Sequence, residues 1–450
     1  MKIGFGYALL MAAFLGACSP QQYLGKQARK SLLQTAPLDY AHVGISVYDP
    51  QENKYLFNYQ ADKYFVPASN TKIVTCYAGM KYLGDSLTGI HYIENDTALL
   101  VIPAGDPTLL HPDFLRQPVI LFLKDTRKSI YITDHHWQSD PLGAGWSWGD
   151  YNASYMPERS PLPVYGNTLR WIQENGDQQA SESEFEPTPF IYSIPEIDWK
   201  VRFNTDTARK GFYVRRHRDE NTFVITQGPE KRKEQQVPFI TNSLASAMEL
   251  LADTVGKAIN IATRPAEKMF SGYSFPGTVY SQPTDTMLKI MMHRSDNFFA
   301  EQTLMMVSNG LLQVMNEDQL IDTLLQTDFK DLPQTPRWAD GSGLSRYNLF
   351  TPQDFVTILQ KMQQEFGLER IKEIFPTGGR GTLSNYYRQD SGYIYAKTGT
   401  LSGVVALSGY LITKKNKTLI FSVLVNNHNG SVTAVRRAVE AFLVNIRNRY

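Results

Sequence analysis

Ser69 and Lys72 stand three residues apart at the head of an apolar run, Ile73 to Leu83. In a helix that spacing brings a hydroxyl and an amine together one turn apart. The run is apolar on almost every side and predicts a helix buried all round, beginning at Ser69. One explanation of the serine is an N-cap, its oxygen accepting from a free backbone N–H of the first turn. Lys72 fits that explanation poorly. Three residues after a cap the usual partner is Glu or Gln, and an ammonium there faces the positive end of the helix dipole. The same disfavour, added to burial, lowers a lysine's pKa and frees a neutral amine to take the proton of Ser69. Ser69 and Lys72 are therefore candidate nucleophile and base, with the Ser69 N–H available to a developing oxyanion. On this stretch alone the cap remains the simpler account.

Two more polar stretches need positioning. Ser295-Asp296-Asn297 falls where a helical run from Asp285 ends, and Lys397-Thr398-Gly399-Thr400 closes a strand-like run from Tyr393. Taken singly, they read as a helix terminus and a strand edge. Near the N-terminus, Val43–Tyr48, a turn at Asp49–Asn53 and Tyr55–Tyr59 alternate as a β-hairpin leading into the Ser69 helix. Near the C-terminus, Gly403–Leu411 and Leu419–Val425 predict two strands, and Ser431 to about Val444 a closing helix. Strands from both ends with helices between predict an α/β (α+β) unit whose sheet the C-terminal strands complete. From about His91 to Pro276 the chain is rich in turns, Gly, Pro and Trp, and reads as a mainly β insert. Within it, 181–186 and 230–234 read as solvated loops, and Ser243 to Ala258 as a helix. The division expected is a leader at 1–17, a catalytic domain in two parts (18–90 and 276–450), and an insert at 91–275.

A length of 450 residues, 42% of them hydrophobic, allows two or three domains with proper cores. The net charge of +1, from 45 basic and 44 acidic residues, offers no field for nucleic acid or an anionic membrane surface. There is no Walker loop or dinucleotide fingerprint. His135-His136 lacks further ligand spacing, and the six tryptophans scatter through loops. No metal, cofactor or nucleic-acid partner is expected. Lys2 followed by Ala8–Leu15 has the basic and apolar regions of an export signal. Leu15-Gly16-Ala17-Cys18 resembles a bacterial lipobox, which implies cleavage before Cys18 and a lipid anchor on it. Cys76, inside the apolar helix, reads as a buried small hydrophobe.

Order changes the weight of the three polar stretches. Ser69-x-x-Lys72, then Ser295-Asp296-Asn297, then Lys397-Thr398-Gly399 is similar to the motif set of serine β-lactamases and penicillin-binding proteins. In that set Lys397 adds like-charge repulsion to the dipole and burial acting on Lys72, while its own charge attracts a substrate carboxylate. Ser295 passes a proton towards the leaving amine, and Asn297 holds Lys72 and the substrate amide. The strand at Lys397, Thr398, Gly399 and Thr400 binds substrate as an added strand, with the Thr400 N–H as second oxyanion donor.

Beyond these motifs the chain resembles the low-molecular-mass class C penicillin-binding proteins, the D-Ala-D-Ala carboxypeptidase/endopeptidase family. The matching stretches are Gly105-Asp106-Pro107-Thr108-Leu109, Gly145-Trp146, Tyr165-Gly166-Asn167, Tyr280-Ser281-Gln282-Pro283, Asp340–Arg346 and Gly378–Leu383. The resemblance implies a penicilloyl-serine transferase (β-lactamase-like) fold: a five-stranded antiparallel sheet with flanking helices, and one or two inserted domains. The insert is somewhat short for two. Asp340–Arg346 is read as a turn without a direct catalytic role. The implied activity is that of a serine D-Ala-D-Ala carboxypeptidase, with DD-endopeptidase activity beside it, acting on peptidoglycan stem peptides through an acyl-serine and trapped by β-lactam antibiotics. The implied place is the bacterial periplasm, anchored to the outer membrane. Two alternatives remain at this stage: a β-lactamase or esterase, and a peptidoglycan-binding sensor without turnover.

Overall fold

The computed structural model describes residues 20–175, 190–204, 211–263 and 277–450. Cys18, the leader and the acidic stretch 181–186 lie outside them. Helix α1 (Pro20–Ala28) precedes the hairpin of β1 (His42–Asp49) and β2 (Lys54–Tyr59). A single 3₁₀ turn, Ala68–Thr71, then leads into α2 (Lys72–Tyr82). The insert follows: β3 (Ser86–Glu94), β4 (Ala98–Pro103), α3 (Pro118–Asp125), β5 (Ser129–Ile132), β6 (Thr168–Glu174), β7 (Phe190–Ile194), β8 (Val201–Phe203), β9 (Tyr213–Arg216), β10 (Phe223–Thr226), β11 (Arg232–Pro238), α4 (Ala245–Val255), β12 (Ile259–Ile261) and β13 (Gly277–Pro283). After the insert come α5 (Thr284–Arg294), α6 (Asn297–Leu312), α7 (Glu317–Gln326), α8 (Pro352–Phe366) and α9 (Leu368–Ile374). The chain ends with β14 (Ile394–Leu401), β15 (Val404–Ile412), β16 (Thr418–Asn426) and α10 (Val432–Arg449).

The main sheet has five strands in the order β14-β15-β16-β1-β2, antiparallel throughout. Side chains alternate along each strand, so its two faces serve two cores. On β16, Leu419, Phe421, Val423 and Val425 pack with Leu24 and Ala28 of α1 and with Val435, Val439 and Phe442 of α10. Ile420 and Leu424, between them, join the core of α2, α5, α6 and α8 on the opposite face. In α2 every residue from Lys72 to Met80 is buried, which is why its sequence carries no polar stripe. Gly79 makes this possible: a Cβ there would lie 2.9 Å from Leu288 Cδ2 and 3.0 Å from Thr303 Cγ2. Helices α5 and α6 therefore press directly on the α2 backbone.

Among the described residues the insert forms a five-stranded sheet, β12-β5-β4-β3-β13, and two three-stranded sheets, β8-β10-β9 and β11-β6-β7. All three share a core in which Ile90, Leu99 and Val101 meet Trp171, Val214, Phe223 and Val237. Its entry and exit strands pair with each other, Gly277 opposite Tyr92 and Thr278 opposite His91. The junction expected between 90 and 91 thus falls inside β3, because the pairing begins at Ser86. The charged stretch 230–234 is a loop only in part. Arg232 to Glu234 start β11, opposite Ile172–Glu174, on a face open to solvent. The helix expected to Ala258 stops at Gly256, whose φ of 71° forms a left-handed cap.

Candidate active site

Ser69 sits inside the tight turn before α2, and no side-chain cap bond is made there or at Thr71. The N-cap explanation is therefore replaced. The Ser69 hydroxyl instead meets Lys72 Nζ at 3.1 Å. Lys72 is completely buried, and its Nζ has two further partners: Asn297 Oδ1 at 2.6 Å and the main-chain oxygen of Ser342 at 2.7 Å. The Asn297 amide is oriented by its own Nδ2, which donates to Tyr155 O of the insert at 2.9 Å. Ser295 ends α5 in a left-handed conformation, φ 61°, and Asp296 caps α6 by accepting from the Phe299 N–H at 3.0 Å. The tripeptide is thus a corner between two helices, where φ > 0 in a non-glycine residue is uncommon and marks strain.

Lys397 is buried too. Its Nζ donates to Ser295 Oγ and to Thr398 O, both at 2.8 Å. Burial brings Lys72 down to about 8, against the opposing pull of Asp340, Glu301 and Asp296. Lys397 is pushed well below its ordinary value by burial first, then by Lys72 and Arg436. Lys397 is thus held against Ser295, and the repulsion expected between the two lysines acts in the same direction as burial. At the outer end of the strand Arg436 of α10 donates from Nη2 to Thr400 Oγ1 at 2.6 Å.

Strand β14 is the edge of the main sheet and lies against the Ser69 turn. Asn70 Nδ2 donates to Lys397 O at 2.9 Å. Gly399 permits the approach, since a Cβ there would lie 2.6 Å from Pro67 O and 3.1 Å from Asn70 N. The Ala396 N–H points off the sheet, to Pro376 O at 3.1 Å. By the alternation of strand donors, Thr398 and Thr400 direct their N–H groups to that same outer side. A cleft of about 520 Å³ opens over Ser69. The insert contributes Gly145, Ser147, Asp150 and Tyr155 to its walls; Gly343, Leu344, Arg346 and the strand end Thr400–Ser402 complete them. Asp150 and Arg346 give it one acidic and one basic group.

Sequence reasoning missed the floor of the site. Asp340–Arg346, read as a turn with no direct role, supplies the Ser342 carbonyl to Lys72. Buried Asp340 holds the loop in shape, accepting from the N–H of Gly343 (2.8 Å) and Ser345 (2.6 Å), Asn348 Nδ2 (2.7 Å) and Trp146 Nε1 (2.9 Å). Gly343 has φ 78°, and a Cβ on it would meet Ala68 O at 1.9 Å. Glu301, one turn after Asn297 on α6, was also available as a signal: a lone acid in an apolar helical run needs a buried partner.

A serine hydroxyl in contact with a buried lysine, beside the edge of an antiparallel five-stranded sheet, defines a serine acyl-transfer enzyme of the penicilloyl-serine transferase fold. The chain belongs to the D-Ala-D-Ala carboxypeptidase 3 (S13) family, which it matches over residues 26–448. It is 24% identical over 443 residues to a D-alanyl-D-alanine carboxypeptidase of an Actinomadura species, covering 89% of this chain and 80% of that one. It is 22% identical over 431 residues to the D-alanyl-D-alanine carboxypeptidase DacB of Haemophilus influenzae, covering 86% of each. The crystal structure of penicillin binding protein 4 from Haemophilus influenzae superposes with a TM-score of 0.71 at 19% identity, over 94% of this chain and 98% of that one. That likeness concerns the fold.

Proposed function

We infer that this protein is a serine-type D-Ala-D-Ala carboxypeptidase of peptidoglycan stem peptides, with Ser69 as nucleophile and Lys72 as its base. The observation that carries the assignment is the set of partners around Lys72 Nζ. A neutral amine has two N–H bonds and one lone pair. Asn297 Oδ1 and Ser342 O can only accept, so they take the two N–H bonds and leave the lone pair aimed at the Ser69 hydroxyl. Lys72 takes that proton as Ser69 Oγ attacks the carbonyl carbon of the penultimate D-Ala. The oxyanion forms between the N–H groups of Ser69 and Thr400. On collapse the C–N bond breaks; Ser295, held by Lys397, gives its proton to the departing D-Ala amine and regains one from the Lys72 ammonium, which returns Lys72 to the neutral amine. Water then attacks the acyl-serine with Lys72 again as base; the bond to Ser69 Oγ breaks, and the proton on Lys72 returns to that oxygen. Thr398, Gly399 and Thr400 bind the substrate backbone as an added strand.

β-Lactam antibiotics fit the same route as inhibitors, acylating Ser69 and deacylating slowly. Endopeptidase cleavage of cross-links uses the same chemistry on a longer leaving group. Export to the periplasm and acylation of Cys18, as an outer-membrane anchor, rest on the leader's sequence. Among the described residues no helix is long and apolar enough to cross a membrane.

The test is to incubate the chain from Ser19 onward with muropeptides ending in D-Ala-D-Ala and with a fluorescent penicillin, beside Ser69→Ala. Released D-Ala with lasting label on Ser69 is the expected result, and Ser69→Ala takes no label while keeping its unfolding transition. Rapid hydrolysis of the penicillin points to a β-lactamase, and neither reaction leaves the sensor reading.

A further inference from the structure

Lys72 depends on Ser342 for one of the two acceptors that aim its lone pair, and Ser342 is itself held from the far side. Its N–H donates to Glu301 Oε1 at 2.7 Å, while its carbonyl takes Lys72 Nζ at 2.7 Å. The other oxygen of Glu301 lies 3.5 Å from Arg159 Nη1. Arg159 belongs to the insert, and its Nε and Nη2 donate to Asp140 O at 3.1 and 2.9 Å. Nη1 also pairs with Glu317 Oε1 at 2.6 Å, and Trp146 lies over the guanidinium. Arg159 and Glu301 are each only 1% exposed. An ion pair removed from water to that degree is costly unless every group is bonded, so its presence beneath Ser342 calls for a reason.

We propose that Glu301 is a positioning residue for the amine of Lys72. Anchored by Arg159 of the insert, it holds Ser342 so that the carbonyl accepts one N–H and the lone pair turns to Ser69. The proposal rests on Lys72 being the base. Without that clamp the Ser342 carbonyl swings, and the amine rotates among arrangements of which only some face Ser69. Glu301 has a second effect through its charge. The groups facing Lys72 are the acids Asp340, Glu301 and Asp296 and the cation Lys397; those facing Glu301 are Asp340, Arg159 and Lys72. Removing one acid from this set weakens the hold on the ammonium, so Lys72 gives up its proton at lower pH. A side chain that merely filled space would leave both rate and pH dependence unchanged.

The test labels wild type, Glu301→Gln, Glu301→Ala and Ser69→Ala with a fluorescent penicillin between pH 6 and 9.5. The rate constant is measured separately from the final label per chain. Final label reports how much protein is folded; the rate constant reports the base. Glu301→Ala is expected to label stoichiometrically but about 10- to 100-fold more slowly on its alkaline plateau. Glu301→Gln keeps an oxygen for the Ser342 N–H and loses less, and its acid limb moves to lower pH. An acid limb that stays in place in Glu301→Gln, or a Glu301→Ala plateau equal to wild type, overturns the proposal. If Glu301→Ala does not fold, the limb of Glu301→Gln decides alone. A wild-type chain that takes no label overturns this proposal together with the Ser69–Lys72 assignment; a labelled wild type with indifferent Glu301 variants overturns this one only.

Discussion

Raising the pH from 6 to 9 converts Lys72 from ammonium to amine while leaving Ser69 a hydroxyl, and the rate of acylation should follow chiefly that titration, with Glu301, pushed up to about 7 by burial, ionising in the same range. An ordinary lysine at 10.5 is neutral in roughly 0.03% of molecules at pH 7, whereas one near 8 is neutral in roughly 9%. The gain is about 300-fold in usable base, equivalent to about 3 kcal/mol, and burial of Nζ supplies it. The second-order rate constant for a fluorescent penicillin, measured by stopped flow, should therefore climb about tenfold per pH unit below 8 and level off above it. Asp296→Asn adds an internal control. Asn caps a helix about as well as Asp, so α6 keeps its start, yet one negative charge facing Lys72 is gone. Its limb should shift to lower pH with the plateau retained. A rate independent of pH between 6 and 8, or a midpoint near the ordinary lysine value, would refute the reasoning that burial makes Lys72 the base.

Two other outcomes are expected. Gly399→Ala places a Cβ against Pro67 O and Asn70 N, forcing β14 away from the Ser69 turn; acylation should drop by at least about 10-fold, and an unaltered rate would show that this approach is dispensable. Arg159→Met leaves Glu301 and Glu317 without their common cation, a loss of about 3–5 kcal/mol that in a chain of this length should lower the calorimetric unfolding midpoint by about 3–5 °C. A midpoint within about 2 °C of wild type would mean that the ion pair adds nothing to stability.

The parts legible from sequence are those whose chemistry lies in the side chain itself. The α2 helix could be found because burial on all sides leaves no polar stripe, and Ser69 and Lys72 because hydroxyl and amine stand one helical turn apart; Ser295, Asn297 and Lys397 stood out only through the order of three motifs that resembles the penicillin-binding proteins. Ser342 contributes a carbonyl, which every residue possesses, so nothing in its identity marks it. Arg159 and Glu301 are 142 positions apart, and their pairing exists only once the insert has docked. The same limit misplaced the edge of the insert: the partner of β3 is β13, far along the chain, and local composition does not reveal a strand's partner. The burial of Lys397 was hidden as well, because alternation along a strand depends on register.

The pairing of β1 with β16 also sets an order in time. His42 lies opposite Asn426, so a loop of roughly 380 residues must close before the main sheet exists. The insert eases that closure by knotting its own base: once β3 and β13 have paired, it behaves as a short connector between α2 and α5. Pairing over such separations is slow to form, and Lys397 lies on the far edge strand, joined to β1 only through β15 and β16. A chain still being synthesised carries Ser69 and Lys72 without their second lysine, so the complete site exists only with the last strands in place.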